Sequence, residues 1–183
     1  MKIFFLRLLL ILAIVFFEFS FFDILLPATP APLILIASVV VWVLLSGFPQ
    51  GLFMIIPLVM LFDVVATGMP GVLTLYALPL AYTTSFLSRR LLVEHRGMGM
   101  FLYGLFAGIS ALGYRLFDFL FFRSEDLLGS REIFSGLWLV FSFSDIVFAI
   151  ALSLPIFLLA YASIRRFEQS VGVMSRNDFL NVK

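Results

Sequence analysis

The sequence predicts an all-α fold: a polytopic membrane protein whose six transmembrane helices pack in one compact bundle. Three observations predict it. Hydrophobic residues make up 63% of the 183, with a mean hydropathy of +1.16, whereas soluble domains are about 45–50% apolar; a globule of this size has no interior large enough for the excess. Charged residues are only 13%, about half the usual share, so the surface is one that hydrocarbon solvates better than water. The apolar residues also fall into six runs close to the roughly 20 residues that a helix needs to cross a bilayer core.

The runs are 3–26, 33–47, 52–66, 72–87, 100–122 and 136–164. The first follows Lys2 and carries Arg7, as a signal peptide would, but Glu18 interrupts it and no small-x-small cleavage site follows before Pro27. It reads as a retained span. The second to fourth are short and are separated by Gly-Phe-Pro-Gln-Gly at 47–51 and Gly-Met-Pro-Gly at 68–71; glycine–proline turns without charge give tight hairpins at interface depth. The fifth carries Gly104, Gly108 and Gly113, and the Gly104–Gly108 spacing lets helices approach closely, here read as packing within the chain. Pro57, Pro79 and Pro155 fall inside spans, where proline kinks a helix and frees carbonyls. Residues 1–164 thus form one transmembrane domain, and 165–183 a polar cytoplasmic tail, mobile or interfacial.

Orientation follows from the lysines and arginines, which favour the cytoplasmic side. With the N-terminus inside, that side carries Lys2, Arg7, Arg89, Arg90, Arg96, Arg165, Arg166, Arg176 and Lys183. The other side carries Arg123 and Arg131, offset by Glu125, Asp126 and Glu132. Six spans with both termini cytoplasmic, in a cell (inner) membrane, satisfy the bias throughout. Removing any one span would set the basic stretches 89–96 and 165–183 on opposite sides or break the pattern elsewhere.

Six ionisable residues fall within or at the ends of spans: Glu18, Asp23, Asp63, Arg115, Asp118 and Asp145. Each costs about 2.5–3.5 kcal/mol on insertion scales and so tends to face the bundle interior. In the six-span topology all of them lie in the outer halves. Two readings stay open. Nearness to the interface makes their burial cheap and snorkelling easy. Alternatively Glu18, Asp63, Arg115, Asp118 and Asp145 form one intramembrane polar network, with Arg115 and Asp118 on one helix face and Arg115, always protonated, held by at least one carboxylate.

The sequence excludes several chemistries. It contains no cysteine, so neither disulfides nor thiol nucleophiles, and one histidine, His95, set in a basic loop that reads as topology-setting charge and anionic-lipid contact. Neither a metal site nor a cofactor is expected. Phosphate-binding, serine-hydrolase and zinc-protease motifs are absent, so no enzymatic activity is expected, and a net charge of +1 suggests no nucleic acid.

Residues 30–90 carry a recognisable unit. Pro32-Leu-Ile-Leu-Ile opens a span, Gly47-Phe-Pro-Gln-Gly51-Leu turns, Leu61-Phe-Asp63 ends the next span, and Gly68-Met-Pro-Gly71 turns into a helix with Tyr76 and Tyr82. This pattern resembles the rod shape-determining protein MreD family over about a third of the chain, and departs from it at Pro49, Gln50 and Pro57. The resemblance implies a bundle similar to the substrate-binding component of energy-coupling-factor transporters. It also implies a non-enzymatic subunit of the bacterial cell-elongation (rod shape) machinery that binds an MreC-like single-span protein and other elongation-complex proteins and supports cell-wall synthesis. Only Asp63, Gly68 and Gly71 match its recurrent positions, as an interior polar anchor and two turn formers. The expectation is therefore a membrane scaffold whose partners are lipids and bitopic proteins. The alternative is a substrate-binding membrane subunit or small transporter, in which the same charges would line an outward-facing polar pocket.

Overall fold

The computed structural model describes residues 2–22, 32–66, 71–91, 96–120 and 143–170. All are helical apart from short connections. Helix α1 (Lys2–Phe17) continues as a π-helical turn over Glu18–Phe22. It is followed by α2 (Leu33–Ser46), α3 (Phe48–Val65), α4 (Val72–Leu91), α5 (Arg96–Asp118) and α6 (Phe143–Ser170). Stretches over Phe48–Val65, Met98–Asp118 and Ile146–Ser170 are long and apolar enough to cross a membrane; Leu33–Ser46 and Val72–Ser88 are apolar but shorter.

Helix α2 is the axis of the bundle. Its sequence has no polar face, and a helix that is apolar all round is stable only when surrounded. Leu33 and every residue from Leu35 to Val43 are buried, and α2 packs against α3, α4, α5 and α6, with α1 touching its edge. The outer helices turn large apolar side chains outward, among them Phe4, Phe5 and Phe16 on α1, Phe53 on α3, and Phe143 and Leu159 on α6. Such a surface is far more apolar than the scattered patches that water tolerates, and lipid is its natural solvent.

The connection between α2 and α3 is tighter than the expected five-residue turn at 47–51. Only Gly47 lies outside the helices, at φ 75°. Its N–H donates to the Val43 carbonyl at 2.9 Å and its carbonyl accepts the Gly51 N–H at 2.8 Å. Pro49 stands in the first turn of α3, where the missing N–H would have had no intrahelical acceptor, so the proline starts the helix rather than breaking it. Gly51 then lies against α2: a Cβ there would meet the Trp42 carbonyl oxygen at 3.4 Å. Gly71, at φ 96°, precedes α4 and accepts the Leu75 N–H, while Gly68 lies outside the described residues. Pro57, Pro79 and Pro155 fall within α3, α4 and α6, which run on past them.

Helices α5 and α6 run antiparallel in close contact. A Cβ on Gly104 would sit 2.6 Å from Leu154 Cδ1, and one on Gly108 would sit 2.6 Å from Ser153 Oγ. The small-residue spacing thus serves packing within the chain. Helix α6 also continues beyond 164 to Ser170, so the first residues of the expected tail are helical. Gly108→Leu is expected to cost about 1–3 kcal/mol through overpacking, read as a lower unfolding temperature in detergent, whereas substitution of exposed Ile109 leaves that temperature unchanged.

Candidate functional site

Two buried carboxylates define one end of the bundle, and both close the start of the helix that follows their own. The first N–H groups of any helix lack intrahelical acceptors, and a side-chain oxygen normally supplies one. Pro32, ahead of α2, makes no side-chain cap, and Gly71, ahead of α4, has no side chain. Glu18 and Asp63 substitute from a distance. The Leu35 N–H donates to Glu18 Oε2 at 3.2 Å. The Leu73 and Thr74 N–H groups donate to Asp63 Oδ1 at 3.2 Å and Oδ2 at 2.9 Å, and the Thr74 hydroxyl also donates to Oδ2. A carboxylate facing the positive end of a helix dipole is favoured there. That stabilisation lets Glu18 (4% exposed) and Asp63 (7%) be buried.

The two caps are neighbours through aromatic packing. Phe19 stacks on Phe62 with ring centroids 4.9 Å apart, which joins the end of α1 to the end of α3. Beyond Asp63, Tyr76 on α4 donates its hydroxyl to the Ser110 carbonyl of α5 at 2.7 Å. Tyr76 also meets Tyr114 and Phe117 at 5.6 and 5.7 Å between ring centroids. Tyr114 lies within electrostatic range of both Asp118 and Asp63. Polar and aromatic contacts therefore tie α1 through α5 together at this end.

Of the residues singled out in the sequence, Glu18 and Asp63 converge here as caps. Arg115 and Asp118 lie half-buried near the end of α5, spaced to share one face. Asp145 falls in the first turn of α6, with its side chain outside the described residues, as are Asp23 and His95 altogether. The carboxylate–helix caps were not anticipated, because a cap supplied from the preceding helix leaves no local motif.

The opposite end holds a second buried charge that sequence reasoning assigned elsewhere. Arg7 Nη2 donates to Glu168 Oε2 at 2.7 Å, linking α1 to the last turn of α6, with the Glu168 side chain 1% and that of Arg7 20% exposed. Arg7 reads in sequence as an orientation signal and Glu168 as part of the tail. The available clue was helical phase: Phe157, Ile164 and Glu168 prolong one buried stripe into the polar segment.

Chemically, Asp63 has both oxygens engaged by α4, which suits an anchor more than a general acid or a cation ligand. Among the described residues no group of three His, Cys, Asp or Glu side chains is placed to hold a metal ion. Comparison with known proteins returns no match: no family model fits the chain, and no curated protein or solved structure aligns with it significantly.

Two outcomes test these assignments. Asp63→Ala should lower stability by about 1–2 kcal/mol, the usual worth of a helix cap, with Asp63→Asn intermediate, measured by thermal unfolding in detergent. Breaking the other pair by Arg7→Leu or Glu168→Leu alone should cost about 3–5 kcal/mol, because one buried charge loses its partner, while the double substitution recovers most of that loss in membrane-inserted yield.

Proposed function

We propose that this chain is a six-span integral protein of the bacterial inner membrane with both termini cytoplasmic, and a non-enzymatic scaffold subunit of the cell-elongation machinery. It binds a bitopic, MreC-like partner together with other elongation-complex proteins and supports wall synthesis. The observation that carries this reading is the MreD-like pattern of residues 30–90: an aspartate closing one span, a glycine turn, and a following helix with two tyrosines. The role of Asp63 is compatible with it, since the side chain at the pattern's recurrent acidic position holds α4 against α3. The reading carries with it a bundle similar to the substrate-binding component of energy-coupling-factor transporters. In this topology the Glu18 and Asp63 caps face the outer leaflet and the Arg7–Glu168 pair the inner one.

A transport role would need the outer carboxylates free to line a pocket, and Asp63 is committed to α4. The test is purification in mild detergent through a tag following Lys183. Co-purification of a single-span protein with a coiled-coil ectodomain is the expected result. Co-purification of nucleotide-binding subunits would overturn the scaffold role.

A further inference from the structure

Helix α6 turns one stripe outward. Phe148, Leu159 and Ala162 stand close to whole numbers of helical turns apart, and all three are exposed. In a bilayer such a stripe faces acyl chains. Its next member is Arg166, one turn beyond Ala162 and also exposed. An arginine stays protonated, so a permanent cation ends the lipid-facing stripe.

Two features surround it. The Arg165 guanidinium lies over the Tyr161 ring, 5.8 Å from its centroid, within reach of a cation–π attraction. That contact holds the charge one turn back along α6, against its apolar body, and Tyr161 is itself stacked on fully buried Phe157 with centroids 6.3 Å apart. Ala162 and Ser163 adjoin Arg166 on the helix surface. Both are small and exposed, so the flank of Arg166 is open. A helical serine can bond back to a carbonyl of the preceding turn, and Ser153 and Ser170 on this helix do so. Ser163 makes no such bond among the described residues.

The described carboxylates leave this charge uncompensated. Glu168 is buried, and its Oε2 is taken by Arg7 at 2.7 Å. Glu18 and Asp63 cap helices at the opposite end of the bundle, and Asp118 ends α5. Among the described residues no carboxylate pairs with Arg166.

We infer that Ser163, Arg165 and Arg166 form a site for the headgroup of an anionic phospholipid. The phosphodiester sits between the two guanidinium groups, whose planar N–H forks match phosphate oxygens, and the Ser163 hydroxyl donates to the same group. The acyl chains run along Leu159 toward Phe148. Continuity of the cation with an exposed apolar stripe selects a membrane lipid over a free phosphate. Each cation near a bilayer surface enriches an anionic lipid roughly fivefold. The site is on a different helix from the basic stretch 89–96, and it requires that the chain span a bilayer, not that it act as a scaffold.

The test uses L159C, the sole cysteine of the full chain, labelled with bimane in phosphatidylcholine liposomes. Position 159 lies about 10 Å along the stripe from Arg166, beside the acyl chains of a lipid held there. Phosphatidylglycerol brominated on its acyl chains is expected to quench the label at least twofold more than equally brominated phosphatidylcholine at the same mole fraction. R165Q/R166Q should abolish that preference and S163A should lower it. Bimane at F53C, on the exposed face of α3, should show a smaller preference, and inorganic phosphate should not compete. Equal quenching by the two lipids would overturn the site, as would a preference unchanged in either variant or equal at position 53. Loss of the preference on adding inorganic phosphate would also overturn it, by assigning the arginines to a soluble anion. If the double variant fails to insert, R166Q alone decides.

Discussion

Inside hydrocarbon there is no water to satisfy a polar group, so every buried N–H, carbonyl and charge must find its partner within the protein or with a bound guest. That constraint shapes this bundle more than any single packing contact. Helices α2 and α4 begin after residues that supply no side-chain cap, Pro32 and Gly71, and Glu18 and Asp63 supply the missing acceptors from the ends of α1 and α3. Each carboxylate is stabilised by the N–H groups and dipole it faces, and each N-terminus in turn is satisfied by the carboxylate. Neither half would be comfortable alone. The arrangement also fixes how each helix pair closes, since a cap made across a loop sets the depth at which the second helix starts.

The same logic explains the opposite end. Arg7 and Glu168 come from the first and last described helices, and their contact joins α1 to α6 at one level of the bundle. Between these polar ends the axis is supplied by α2, whose run of Val39, Val40 and Val41 is wholly buried. The cross-section is tightened where glycine removes a side chain, at Gly51 against α2 and at Gly104 and Gly108 against α6. Polar contacts at the ends and small residues between them give the bundle its register.

Much of this was legible in the sequence, and the part that was not has a physical reason. Apolar runs marked the helices, because burial of backbone in lipid demands a continuous hydrophobic stretch. Glycine and proline marked the breaks, although the stretch 47–51 closed to a single residue once Pro49 entered the first turn of α3. Glu18 and Asp63 stood out as costly residues, but their partners are backbone N–H groups in a different helix, which no side-chain pattern announces. Glu168 was hidden for the opposite reason: it sits among polar neighbours, so only the phase of the buried stripe through Phe157 and Ile164 separates it from a solvated tail.

In the proposed topology the Glu18–Asp63 end and the Arg7–Glu168 end face opposite sides of a membrane. The chain contains no cysteine, so single cysteines can be introduced without background. With Met69→Cys, Val93→Cys and Lys183→Cys tested one at a time in intact spheroplasts, an impermeant maleimide should label position 69 directly and positions 93 and 183 only after permeabilisation. Labelling of 69 and 93 from the same side would contradict the bundle's orientation and the span count on which it rests.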